Sequence, residues 1–280
     1  MARVGAFAIA LCLAVAAMGA TAYDDFTSGL NAVNRGDADA AIAAFTRALA
    51  AGDLAPGYVP TARIDRARAY MRKGKCTDAL ADADEVVKID ARNVDAHMLR
   101  GAAHTCLKQN DEAVADFDQA VRLRPTAALY EETARYEWSF GRFADAAANY
   151  AHAVALSSKT NPHLPYMVLW HAMTADRAGT LDQAALAEEM RDIDDDDWPG
   201  PLIMLYRGKL TVERAAAKAA ARDPQKATEQ KCEADFYVGE WQLARANRDA
   251  ALTLLKQAVD ECPHNFVEFF AAQEELKRQS

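Results

Sequence analysis

A small residue stands 12 positions before an alanine five times along this 280-residue chain: Gly29/Ala41, Ala67/Ala79, Gly101/Ala113, Ala134/Ala146 and Gly239/Ala251. After four of the five alanines an aromatic residue or leucine follows at +4 (Phe45, Phe117, Tyr150, Leu255) and another alanine at +7 (Ala48, Ala120, Ala153, Ala258). Those spacings put all three on one helical face. The second repeat substitutes Ala83 and Val86. Gly36, Gly74 and Gly141 each lie five residues before the repeat alanine, where a positive φ reverses the chain. Each unit therefore reads as a helical hairpin whose small residues let the two helices approach closely.

One hairpin cannot bury its apolar face alone, so the units must stack. The alanines at 41, 79, 113 and 146 are 38, 34 and 33 residues apart, close to the roughly 34-residue period of tetratricopeptide (TPR) arrays. Pro125 and Pro263 fall where that pattern ends a second helix. The chain resembles a TPR protein, which implies an all-α, TPR-type right-handed solenoid of about six or seven hairpins. After Tyr150 the pattern weakens: Ala172 and Ala184 keep the 12-residue spacing and Gly179 the turn, but Glu188 and Arg191 replace the aromatic and the alanine. The middle pairs are thus expected to be degenerate, with short helices near Leu202–Arg207 and about Val212–Ala221.

Residues 1–22 read as an export leader. Val4 to Met18 is apolar apart from Gly5, Arg3 supplies the charged start, and Ala20-Thr21-Ala22 is a small-x-small cleavage site. Fifteen such residues fall short of the roughly 20 that span a bilayer. Cys12 follows Leu11 inside the apolar run, surroundings that do not suit lipidation. The expected organisation is a signal peptide at 1–22, TPR repeats 1 to 4 at 23–160, and degenerate pairs with a last TPR and a terminal helix at 161–280. The net charge of −9 becomes −10 once Arg3 is removed, which argues against nucleic acid or an anionic membrane as the main partner.

Four cysteines remain after cleavage, an even number in an oxidising compartment. Repeat geometry brings Cys76 and Cys106 to one edge and Cys232 and Cys262 to the adjacent ends of one hairpin, so the expected bonds are Cys76–Cys106 and Cys232–Cys262. Free buried thiols are the alternative.

In the second half the resemblance narrows to the NlpI family of bacterial envelope proteins. It rests on Trp170, the Trp198-Pro-Gly turn with Leu202-Ile-Met-Leu-Tyr206, Phe236-Tyr-Val-Gly239, and the run His264-Asn265-Phe266-Val267-Glu268 after the last hairpin. The resemblance implies an exported, non-catalytic adaptor that brings peptidoglycan hydrolases together with a processing protease. The alternative is a structural or assembly subunit of an envelope machine such as a pilus or secretion apparatus. The chain departs from the lipoprotein pattern in lacking a suitable lipidation cysteine.

Other chemistry finds little support. His97 and His104, seven apart with Cys106 nearby, could hint at a metal, but they occupy slots that pack inside a TPR hairpin. Asp192 and Asp194 to Asp197 lack the glycine and distal glutamate of a calcium loop. No HExxH, GxSxG or phosphate-loop motif occurs, so no enzyme activity, cofactor or metal is expected. First helices line the concave face of a TPR array. That register assigns Ile64, Arg68, Met71, Arg72, Met98 and Glu131, followed by Arg135, Trp138, Tyr166, Met173 and Arg177, to a protein-binding groove, about half of them open to solvent. Arginines among Met and aromatics suit a peptide carrying acidic groups or a C-terminal carboxylate. A periplasmic or secreted location, protein partners in the envelope, no nucleic acid and no membrane segment after cleavage complete the expectation; a homodimer is compatible with it.

Overall fold

The computed structural model describes residues 21–219 and 224–280. Among them every regular element is helical. The leader expected at residues 1–22 lies outside the described residues as far as position 20, but Thr21 and Ala22 belong to the fold. Thr21 accepts a hydrogen bond from the Asp24 amide at 3.1 Å and donates its own amide to the Asp24 carboxylate at 3.0 Å, a reciprocal cap worth about 1 kcal/mol. Ala22 is buried against the first hairpin. Processing after Ala22 would remove this cap.

Two compact units divide the chain, Met1–Ala91 and Arg92–Ser280. The first holds α1 (Ala22–Asn34) and α2 (Ala38–Ala50), then α3 (Val59–Arg72) and α4 (Cys76–Ile89). The second opens with α5 (Val94–Cys106), α6 (Asn110–Leu123), α7 (Ala127–Ser139) and α8 (Phe143–Leu156). It continues through α9 (Leu164–Ala178), α10 (Gln183–Glu189), α11 (Gly200–Tyr206) and α12 (Val212–Ala217), and closes with α13 (Pro224–Ala244), α14 (Arg248–Glu261) and α15 (Val267–Arg278). The two short helices expected after residue 200 are α11 and α12. The distortion is larger than a weakened repeat implies. Helix α9 packs mainly on α8 and α13 and only lightly on α10, because Leu169 and Trp170 carry its apolar surface toward Phe236 and Tyr237 of α13.

The 12-residue spacing has a direct packing cause. A Cβ added to Gly29 would come within 2.6 Å of the Phe45 ring, and one on Gly101 within 2.6 Å of Phe117. In these two repeats the aromatic at +4 thus lies on the backbone of the partner helix, where a residue without a side chain leaves room. Where the small residue is Ala67, the facing +4 position is Ala83.

The turns follow the same logic. Gly36, Gly74 and Gly141 take φ of 73°, 68° and 77°, and in the two repeats lacking glycine at that place Lys108 and Ala246 take φ of 63° and 60°. A residue with a Cβ costs about 1 kcal/mol in that left-handed conformation. Ala246→Gly should therefore raise stability by about 0.5–1 kcal/mol despite the added freedom of the unfolded chain, read as a higher midpoint in urea. An unchanged or lower midpoint would show that the turn is not strained.

Two of the hairpins share a polar layer as well. Asp82 receives Arg66 in a bidentate pair at 2.7 Å and Arg63 at 2.9 Å. Thirty-four residues on, Asp116 receives Arg100 at 2.7 and 2.8 Å and pairs with His97 Nδ1 at 2.9 Å. His97 is thus a buried packing residue, and no group of three metal-ligating side chains occurs among the described residues. A disulfide joins Cys232 of α13 to Cys262 at the end of α14, with Cα atoms 4.9 Å apart. Both are buried, and closing this 30-residue loop contributes roughly 3–4 kcal/mol on the chain-entropy model.

Candidate functional site

An opening of about 510 Å³ lies in the second unit between α7 and α15, at the turn joining α5 to α6. Its floor is aromatic: Trp138 and Trp170 meet edge-to-face with ring centroids 5.4 Å apart. Tyr136 and Phe140 extend the apolar wall on α7, and Phe270 stands on α15 with 55% of its surface exposed. Arg135, one turn before Trp138, and Lys108 at the α5–α6 turn bring positive charge to the rim.

Helix α15 occupies this position because four charged side chains hold it there. Arg177 of α9 reaches Glu240 of α13 and, at 3.1 Å, Glu275 of α15, while Arg278 pairs with Glu275. Arg278 also donates to the Trp138 and Ser139 carbonyls at 2.9 and 3.1 Å. These are the last carbonyls of α7, where a cation meets the negative end of the helix. At the other end of α15, Tyr237 donates to Glu268 at 2.9 Å. Close by, Tyr166 and Trp198 both donate to Glu233. Burial, with Glu268 nearby, pushes the Glu233 carboxyl up to about 7, and burial raises Glu268 too. The run His264–Glu268 therefore has a structural role: its glutamate ties the start of α15 to α13.

The residues expected in a groove divide accordingly. On α3 of the first unit, Arg68 and Arg72 are exposed and Met71 is half-buried, but Ile64 is in the core. In the second unit Arg135 is exposed and lines the pocket, and Glu131 is partly exposed. Trp138 lines it from below with only 2% exposure, so it is a floor rather than a projecting anchor. Met98 packs with Phe117, Met173 is fully buried, and Tyr166 is held by Glu233. Arg177 is spent on the buried ion network. These four do not line the pocket: Met98 packs inside the α5–α6 hairpin, and α15 and α13 cover the α9 face that repeat register alone leaves open. Lys108 and Phe270 lie outside the expected set. The missing glycine at position 108 is the sequence signal for the first, and the Phe269-Phe270 pair in α15 for the second.

Among the described residues no helix is long and apolar enough to cross a membrane. The tetratricopeptide-repeat family model matches residues 64–128. A TPR protein from Parabacteroides merdae superposes over 92% of this chain and all of that chain with a TM-score of 0.57 at 14% identity. With the hairpin stack and its repeat spacing, this gives the chain a TPR-type fold, with tetratricopeptide repeats matched at residues 64–128. Among individual proteins it resembles the Lipoprotein NlpI homolog of Haemophilus influenzae, at 31% identity over 117 residues, 40% of this chain and 37% of that protein. Over 68 residues it is also 40% identical to the human mitochondrial import receptor subunit TOM70, covering 24% of this chain and 11% of the receptor. The chain thus spans well under half the length of either relative.

Proposed function

We propose that this protein is a non-catalytic adaptor of the bacterial cell envelope, exported through the leader at residues 1–22 and binding other envelope proteins through the second unit. The observation that carries the reading is the aromatic pocket between α7 and α15, open to solvent beside an exposed Phe270 and an exposed arginine. Pockets of a few hundred Å³ with an apolar floor and few polar groups suit side-chain capture, and an exposed large aromatic marks an interaction surface when it borders such a pocket. The likeness to NlpI supports the envelope setting, with peptidoglycan hydrolases and a processing protease as the partner class.

A photo-crosslinking phenylalanine analogue placed at position 270 of the full chain, in cells, tests this. Discrete adducts with envelope proteins are expected, and far fewer from the same probe at Leu156, which is equally exposed at 53% on α8 but outside the pocket. No adduct from position 270, or identical adducts from both, would place binding elsewhere.

A further inference from the structure

Charge at the rim selects among partners of that pocket. Neither the Lys108 ammonium nor the Arg135 guanidinium has an ion-pair or hydrogen-bond partner among the described residues, and both are exposed. Three of the acids beside them are already engaged. Glu274 is paired with Lys277 at 2.7 Å, and Glu132 has a partner of its own. Glu268 is buried within electrostatic reach of Arg135 and accepts the Tyr237 hydroxyl. The surroundings run the other way: the chain as a whole carries a net charge of −9. Two uncommitted cations flanking an aromatic floor on an acidic protein make a local site for negative charge, since opposite charges steer encounter and like charges are rejected.

We propose that the pocket takes an acidic segment of a partner protein, one apolar side chain seated between Trp138 and Phe270 and flanking carboxylates on Arg135 and Lys108. This rests on the adaptor reading and narrows it to a class of partner sequence. The planar guanidinium of Arg135 accepts a carboxylate in a two-point pair. Lys108 offers a point charge from a turn whose backbone is held in the left-handed conformation. Neither cation is desolvated, so each contributes selectivity and a salt-sensitive share of affinity, while the apolar side chain supplies the burial.

A displayed library of random dodecapeptides, panned on the full chain and in parallel on the Lys108→Glu/Arg135→Glu double variant, reads the preference. The wild type should enrich sequences with aspartate or glutamate around one aromatic or aliphatic residue, and the double variant should enrich basic ones. An enriched acidic peptide, labelled and followed by fluorescence anisotropy, should bind the double variant about tenfold more weakly. Its affinity should fall as sodium chloride rises, and Phe270→Ala should weaken it by a comparable factor. Circular dichroism melts of the variants check that the fold is intact. A consensus without acids, the same affinity for both charge states, or no enrichment at all overturns the proposal. A neutral or basic consensus still dependent on Phe270 would overturn only the acidic preference. Loss of the position-270 adducts would strike the adaptor reading itself.

Discussion

Trp138→Ala is expected to lower the stability of the second unit by about 3 kcal/mol, at the lower end of the 3–5 kcal/mol typical of buried large aromatics. The ring is 2% exposed. It meets Trp170 edge-to-face at 5.4 Å and Phe236 at 6.1 Å, and the Arg278 guanidinium lies 5.0 Å over its face. Truncation leaves a cavity under the pocket floor and removes those ring contacts. One feature offsets part of the loss: the indole Nε1 has no hydrogen-bond partner, so its removal relieves a buried donor. Trp138→Phe, which keeps a ring and drops that donor, should cost only about 1 kcal/mol. Urea unfolding followed by circular dichroism measures both. A midpoint for Trp138→Ala equal to wild type would show that the ring is not part of the core and belongs to the binding surface alone.

Arg177→Ala should be at least as damaging, at about 3–5 kcal/mol, because it breaks a buried ion network from the side that holds it together. Glu240 and Glu275 are both 0% exposed, and Arg177 reaches each of them. Its guanidinium also lies 4.4 Å over the Phe143 ring, with that of Arg278 at 5.3 Å. Without Arg177 two buried carboxylates share Arg278 alone. Burial raises the Glu240 carboxyl above its usual range and Arg177 is the first influence opposing that rise, so the variant lets it rise further. A carboxyl whose folded value is raised favours the folded state while protonated, and that contribution is lost as pH rises through the raised value. The penalty in Arg177→Ala should accordingly be smaller near pH 5 than near pH 8. Arg177→Leu/Glu240→Leu, which removes one charge of each sign, should recover much of the loss. A double variant no better than the single one would mean that the Arg177 stem, not its charge, supports α9.

How much of this was legible beforehand depends on the range of the interaction. The hairpins, their turns and the Cys232–Cys262 juxtaposition follow from spacings of 5, 12, 30 and about 34 residues in the sequence, because a helical hairpin brings together residues close along the chain. The polar layer was not among the expectations, although Arg66 and Asp82 recur as Arg100 and Asp116 34 residues later. Arg135 was placed at an open rim by register alone. Register failed at Arg177 and Met173, where it describes a first helix facing open space, and it made Trp138 a projecting side chain rather than the pocket floor. Here α13 and α15 fill that space, and Arg278 reaches back 140 positions to the Trp138 carbonyl.

By itself, then, the sequence determined an all-α stack of hairpins, its period, its turns and the close approach of helices at small residues inside each pair, since each is a matter of local periodicity and excluded volume. Only the tertiary structure decided which face stays open. Helix α15 has no repeat partner of its own, so its position is set by where Glu275, Arg278 and Glu268 find compensating groups on α7, α9 and α13. That is a balance of desolvation and long-range pairing which no pattern along the chain encodes.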